Sequence, residues 1–345
     1  MIPIQNVYYM LSYAFQVLNE QGYKNIATEQ FHNTAELMAA ILEKGIAIQL
    51  KRGLGKEYIP QTEALSSLRG KIDIAESIKT QSTLRKQLIC TYDEFSVNSI
   101  MNRIIKSTVE LLLRSNISKQ RKKNLRKLMV YFSEVDFIDL YTVNWNVQYN
   151  RNNQTYHMLI SICYLVVKGL LQTQSNGHTE LMDFLDEQRM CRLYEKFILE
   201  YYRKEFKNQF TANASQIPWQ LDNEENSMLP VMQSDIMLQS GEKVLIIDAK
   251  YYEHSTQVQF DKHTLHSGNL YQIFTYVKNK EYELREKDHT VSGMLLYAKT
   301  DEEIYPNNVY QMSGNQITVR TLDLNLPFDE IAGQLNTIAK THFDL

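Results

Sequence analysis

The stretch Pro230-Val-Met-Gln-Ser-Asp235-Ile-Met-Leu-Gln-Ser-Gly-Glu-Lys-Val-Leu-Ile-Ile-Asp248-Ala-Lys250 decides how this chain is read. Val244 to Ile247 is an unbroken aliphatic run of the kind found in strands buried on both faces, yet it ends in Asp248-Ala249-Lys250. Side chains two apart on a strand share a face, so Asp248 and Lys250 project together while Ala249 points away. Ser240-Gly241 lies where a hairpin should turn. A four-residue loop at 240–243 puts Asp235 opposite Asp248 on the neighbouring strand. Facing carboxylates repel unless a cation lies between them, and hard oxygen ligands suit Mg²⁺ or Mn²⁺. A lysine at such a site would orient a water activated by the metal, or offset charge at phosphorus, which is the logic of phosphodiester hydrolysis. The plainer alternative is a buried strand end where Asp248 and Lys250 pair without catalysis.

Two flanking segments add candidates. Asn269-Leu-Tyr-Gln272-Ile-Phe-Thr-Tyr276 places Gln272 and Tyr276 at i and i+4 on one helix face, within reach of a metal-bound water or a DNA backbone. Upstream, Glu195 lies within an amphipathic helix spanning 187–206, with Glu200 as the other choice. Strands are expected at 230–238, 243–250, 291–298, 308–312 and 316–323, and helices at 266–280 and 328–341. Helices mixed with strands in this way predict an α/β domain.

The first half reads differently. Helices are expected from Asn33 or Thr34 to a stop at Gly53, and over 99–115 and 153–173. Gly55 to Ala75 reads as short strands or an extended arm. Lys119-Gln-Arg-Lys-Lys-Asn-Leu-Arg-Lys127 holds six positive charges in nine residues. It reads as a solvated helix face, with phosphate contact as the alternative. Residues 1–180 carry 21 basic and 15 acidic side chains, while 181–345 carry 16 and 25, so charge inverts where the pattern changes. The three cysteines, Cys90, Cys163 and Cys191, match no disulfide framework or zinc spacing, which points to a reducing, cytoplasmic setting. The most apolar window, Met158 to Leu171, is too short to span a bilayer, so no membrane partner is expected.

A helix Glu, a strand Asp, a strand Asp-Ala-Lys and a helix Gln-x-x-x-Tyr, in that order, resemble the PD-(D/E)XK nuclease superfamily in its RecB-like branch. The resemblance implies that Asp235, Asp248 and Glu195 bind metal, that Lys250 assists the water, and that Gln272 and Tyr276 support the site or the DNA. The proline expected beside the first Asp is displaced, since Ser234 precedes Asp235. Ile4-Gln-Asn-Val-Tyr-Tyr-Met-Leu-Ser-Tyr-Ala14, Arg69-Gly-Lys-Ile-Asp73, Asp93-Glu-Phe, Asn102-Arg-Ile-Ile-Lys106 and Asp248-Ala-Lys-Tyr-Tyr252 extend the likeness over nearly the whole chain to the McrC family, nuclease subunits of McrBC-type modification-dependent restriction systems.

The family likeness implies a Mg²⁺-dependent endonuclease acting on double-stranded DNA. It would be driven by an McrB-like hexameric AAA+ GTPase whose pore receives an arm of this chain, and whose GTP hydrolysis the chain stimulates. The expected layout is a mainly helical partner-docking domain over 1–180, its arm near 55–75 offering Arg69 and Lys71 as contacts. A PD-(D/E)XK domain with a central mixed sheet would follow over 181–345. Asn102, Arg103 and Lys106 would serve either the interface or the fold. The chain has no G-x-x-x-x-G-K-[ST], so GTP would be handled only by the partner. Two other readings remain open: a stand-alone RecB-like repair nuclease, and a non-catalytic regulator that binds DNA through Lys119 to Lys127.

Overall fold

The computed structural model describes residues 2–15, 18, 23, 26, 29, 31–149, 153, 155–175, 187–223, 228–252, 257–259, 262–299 and 305–345. Two compact units emerge, Asn33–Met182 and a second formed by Met1–His32 with Asp183–Leu345. A cut at 180 would leave the first 32 residues with the N-terminal half, but they pack with the C-terminal unit. The position 180 itself lies outside the described residues. Helix α1 (Ile4–Ala14) is held there by polar and aromatic contacts. Asn6 Nδ2 donates to the carbonyls of Leu324 and Leu326, both at 2.8 Å, Tyr9 stacks on Phe328, and Tyr13 donates to Glu205 at 2.9 Å.

In the Asn33–Met182 unit, α2 (Thr34–Arg52) starts where expected, with the Asn33 side chain accepting from Glu36 N. It stops at Gly53, whose φ of 89° favours glycine. The helix is buried on more than one face, Leu37 to Leu42 forming a continuous covered run rather than a single stripe. The predicted arm is larger than 55–75. Strand β1 (Glu57–Leu65) pairs along its whole length with β3 (Leu88–Ser96), and β2 (Lys71–Asp73) pairs with the other edge of β3. The short helix α3 (Ile74–Lys79) fills the connection. Gly70 permits the close approach of β2 to β3, because a Cβ there would sit 2.3 Å from the carbonyl oxygen of Thr91. Arg69 stacks on the Tyr92 ring at 4.0 Å, while Lys71 is exposed.

Helices α4 (Ile100–Arg114), α5 (Lys119–Met129) and α6 (Tyr156–Ser175) complete this unit. Asn102 is the junction between helices and arm. Its Nδ2 donates to Gly55 O and Val97 O at 2.9 and 2.8 Å, and its Oδ1 accepts from Tyr156 OH at 2.7 Å. Tyr156 OH in turn accepts from Gly55 N. Lys106 donates to Phe132 O and Val135 O, and Arg103 to Phe137 O, so all three of these residues brace the unit.

The other unit is built on a six-stranded mixed sheet in the order β12-β13-β11-β8-β7-β4. Its strands are β4 (Thr211–Asn213), β7 (Ile236–Ser240), β8 (Lys243–Lys250), β11 (Thr290–Ala298), β12 (Asn308–Met312) and β13 (Asn315–Leu322). Strand β11 runs parallel to β8 and β13, and the other pairings are antiparallel. Two small ribbons flank the sheet, β5 (Gln216–Ile217) with β6 (Met232–Gln233) and β9 (Gln257–Gln259) with β10 (Lys262–Thr264).

Helix α8 (Ser267–Leu284) seats Ile273 and Val277 on Val244, Ile246, Val291, Leu295, Ile317 and Val319. Gly293 makes room for it, since a Cβ there would lie 2.8 Å from both Ile273 and Val277. On β8 the alternate residues Leu245, Ile247 and Ala249 are also buried, on the face covered by α7 (Glu187–Glu205), while α9 (Phe328–Phe343) packs on β13. Tyr202 OH ties these two helices together by donating to Leu335 O. This two-sided cover explains the unbroken aliphatic run of β8. Among the described residues, no helix is long and apolar enough to cross a membrane.

Replacing Asn102 by Ala strands two half-buried carbonyls and a buried tyrosine hydroxyl; urea unfolding should register a loss of about 2–4 kcal/mol. Gly293→Val should cost about 1–3 kcal/mol through overpacking beneath α8. An unchanged urea midpoint in either variant would contradict these assignments.

Candidate active site

The hairpin β7/β8 places the carboxylates. Ser240 pairs with Lys243, so the turn is the two residues Gly241 and Glu242 rather than four. Gly241 has φ of 57° while Glu242 is not among the positive-φ residues, the arrangement a II′ turn requires. The tighter turn keeps the expected register, because the ladder runs from Ser240↔Lys243 to Ile236↔Ile247. One step further, Asp235 stands opposite Asp248.

Asp235 sits just before β7, where its Oδ2 accepts from Ala249 N at 3.0 Å. Asp248 is almost fully buried, and its Oδ2 lies 2.8 Å from Lys250 Nζ. That contact balances charge but lacks hydrogen-bond alignment, so the buried oxygen has no directional donor. Lys250 Nζ donates to Gln272 Oε1 at 3.3 Å, and Gln272 Nε2 donates to Tyr276 OH at 2.9 Å. The sheet and α8 thereby join Asp235, Asp248, Lys250, Gln272 and Tyr276 into one connected group.

Burial dominates the electrostatics. It pushes Asp248 up to about 7; Lys250 opposes the shift and the neighbouring Asp235 charge adds to it. Asp235 is raised by burial too, against the pull of Lys250 and of the Ala249 amide. For Lys250, burial works against the ammonium, but Asp248 and then Asp235 outweigh it and hold the amine protonated beyond the ordinary lysine range. Two carboxylates, Asp248 buried and Asp235 half-buried, thus share one ammonium, leaving the site with an excess of negative charge whenever both are ionised.

The donor set suits a hard divalent cation: two carboxylates facing each other across neighbouring strand segments, one of them with a buried oxygen lacking a directional donor. The expected third ligand is not gathered with them. Among the described residues, no group of three or more His, Cys, Asp or Glu side chains is arranged to hold a metal. Glu195 accepts instead from Cys191 Sγ at 3.0 Å. It still senses the site, since burial and then the charge of Asp235 raise its pKa. Glu200 is drawn away by Arg203 Nη1 at 2.7 Å. Two carboxylates match Mg²⁺, which keeps several waters and commonly takes one or two carboxylates.

Several site neighbours escape a reading of sequence. Asn269 Nδ2 donates to Tyr297 OH at 3.0 Å, and Asn269 Oδ1 accepts from Tyr252 OH at 3.3 Å. Tyr297 is the ladder partner of Lys250, so this trio anchors the end of β8 to α8. Asn269 had a local signal, one turn ahead of Gln272 on the same helix. Tyr297 had none, because the parallel register of β8 and β11 is set by tertiary packing. Cys191, one turn before Glu195, carries no sequence signal for this contact, since its spacing matches no disulfide or zinc pattern. Arg69 and Lys71 belong to the Asn33–Met182 unit, whereas this group belongs to the other.

Residues 5–298 match the family model described as McrBC 5-methylcytosine restriction system component. The type IV methyl-directed restriction enzyme EcoKMcrBC of Escherichia coli strain K12 is 29% identical over 329 residues, covering 94% of this chain and 93% of that protein. Among solved structures, a half-complex from the tetradecameric assembly of Thermococcus gammatolerans McrB AAA+ hexamers with bound McrC aligns at 18% identity and a TM-score of 0.48. It covers 97% of this chain and 76% of its own. The cryo-EM structure of the T. gammatolerans McrBC complex aligns at 22% identity and a TM-score of 0.42, over 59% of each chain. Because the family model spans most of its 345 residues, the chain belongs to the McrBC 5-methylcytosine restriction system component family.

Proposed function

We propose that this chain is the Mg²⁺-dependent DNA endonuclease subunit of a modification-dependent restriction complex, with a PD-(D/E)XK site formed by Asp235, Asp248 and Lys250. The observation that carries the reading is the apposition of half-buried Asp235 and buried Asp248, one step beyond the β7/β8 ladder, with Lys250 Nζ 2.8 Å from Asp248. A bound Mg²⁺ or Mn²⁺ supplies Lewis acidity and an acidified water. Asp235 and Asp248 hold that cation. Lys250 orients the attacking water and offsets negative charge at phosphorus. Gln272 fixes the ammonium from α8, and Tyr276 holds Gln272. Glu195 acts from the edge of the site, as a proton-holding group or through water, rather than as a direct ligand.

The partner in this reading is an McrB-like AAA+ GTPase hexamer. The chain lacks a P-loop of its own, which leaves GTP chemistry to another subunit. The three-stranded arm of β1, β2 and β3 supports a docking role, since Tyr58, Leu68, Leu84 and Phe95 are all more than half exposed. Arg69, stacked on Tyr92, and Lys71, opposite Thr91 on β3, are the candidate contacts on this arm through which the chain would stimulate GTP hydrolysis. The stand-alone repair nuclease and the non-catalytic regulator are the readings to be beaten.

Cleavage of methylated duplex DNA by the purified chain should be weak alone and rise on adding the AAA+ partner with GTP and Mg²⁺; strong cutting with metal alone would favour the repair nuclease. Asp248→Asn and Lys250→Ala should each lower cleavage by about 10²-fold or more while leaving partner binding intact, and unaltered cleavage would support the regulator. The raised pKa of Asp248 gives a pH dependence of known sign. Below about pH 7 a proton competes with the cation, so Mn²⁺ affinity measured by calorimetry should fall as pH drops from 7.5 to 5.5, with proton release on binding. Above that range the affinity should level off. A pH-independent affinity would remove Asp248 from the ligand set.

A further inference from the structure

The run of six cations at Lys119 to Lys127 is resolved by the fold into two chemically distinct groups. Arg121 turns inward: its Nη1 pairs with Glu43 at 2.9 Å and its Nε with Glu36 at 3.3 Å, both acids being on α2. Asn124 donates to Glu43 on the same side, and Leu125 beside them is fully buried. At 100° per residue, the other five, Lys119, Lys122, Lys123, Arg126 and Lys127, fall on one arc of about 140° on the opposite side of α5. Lys119, Lys123, Arg126 and Lys127 are exposed, and Lys122 is half-buried.

An ordinary solvated helix balances such a face with acids at i+3 or i+4. Helix α5 contains no acidic residue, and these five cations make no ion pair among the described residues. Instead Lys119 and Lys123, Lys122 and Arg126, and Lys123 and Lys127 set like charges one turn apart, which weakens the helix. The exposed Val130 and Tyr131 continue the surface directly after it. A polyanion would relieve this repulsion. From Lys119 to Lys127 the face extends about 12 Å, a length over which a DNA duplex presents roughly seven phosphate charges.

We propose that this face of α5 is a sequence-independent docking surface for the phosphate backbone of double-stranded DNA, separate from the Asp235–Asp248 group. It would hold substrate by charge rather than by base reading. Occupant choice rests on charge complementarity and on the DNA-directed family to which the chain belongs. The inference does not need the catalytic residues to have the roles proposed above.

The test is fluorescence anisotropy of a 30-base-pair duplex with the full chain in EDTA, where no cleavage occurs and the outcome is independent of the metal site. The variant Lys119→Gln/Lys123→Gln/Lys127→Gln should bind at least 10-fold more weakly. The slope of log affinity against log salt should become shallower by about 0.9 for each phosphate contact removed. The control Lys287→Gln/Lys340→Gln, at exposed sites on the other unit, should change affinity by less than about twofold under the same rule. Equal thermal midpoints for wild type and triple variant exclude a folding defect. The proposal is overturned if the triple variant keeps wild-type affinity and slope, if the control loses as much, or if duplex binding is intact while assembly with the AAA+ partner is lost, which would assign the face to protein instead.

Discussion

Everything at the candidate site depends on one constraint: two carboxylates are held opposite each other across neighbouring strands, one buried and one half-buried, with one ammonium as their shared counter-charge. Like charges across a strand pair destabilise it, and burial multiplies the penalty. Lys250 relieves only part of this, since it stands 2.8 Å from Asp248 and raises no second counter-charge. Asp235 leans on the Ala249 amide. A fold that tolerates this arrangement has put an unfavourable local charge balance where a cation could settle, and chemistry is the usual reason for such a balance.

The scaffolding follows from that constraint. Aliphatic residues on both faces of β8 make the strand rigid, and the Gly293 gap lets α8 approach near enough for Gln272 to meet Lys250. The Tyr252, Asn269 and Tyr297 hydrogen bonds then fix the strand end to the helix. The Asn33–Met182 unit uses the same economy of polar contacts for a different purpose. Asn102 saturates its hydrogen bonds at the root of the arm, so a mostly exposed sheet can project from a fixed base. Arg121 joins buried Glu36 and half-buried Glu43 on α2, and in doing so orients the rest of the basic helix outward.

Much of this was legible in the chain alone. Helix bounds followed from caps and stops such as Asn33 and Gly53, whose effects are local. Strands 308–312 and 243–250 were read with their observed bounds, because alternation and aliphatic runs are also local signals. Other features were hidden. Strand β3 pairs with β1 across more than twenty intervening residues, and without that pairing the arm appeared to end near 75. Residues 1–32 looked like the start of the N-terminal half, yet Asn6 and Tyr9 find their partners beyond residue 323. Glu195 had the right residue type on the right helix, but Cys191 holds its carboxylate.

By itself the sequence determined which side chains are available and which share a strand, hairpin or helix face: Asp235 with Asp248 and Lys250, Gln272 with Tyr276, six cations along one helix. Periodicity is enough for that, because backbone geometry repeats every two or 3.6 residues. Only the tertiary structure decided that Gln272 reaches Lys250, that Tyr297 lies beside it, that Glu195 turns to Cys191 and that Arg121 faces inward. Those choices depend on contacts between segments distant in sequence, where packing and burial, rather than local periodicity, select the partner.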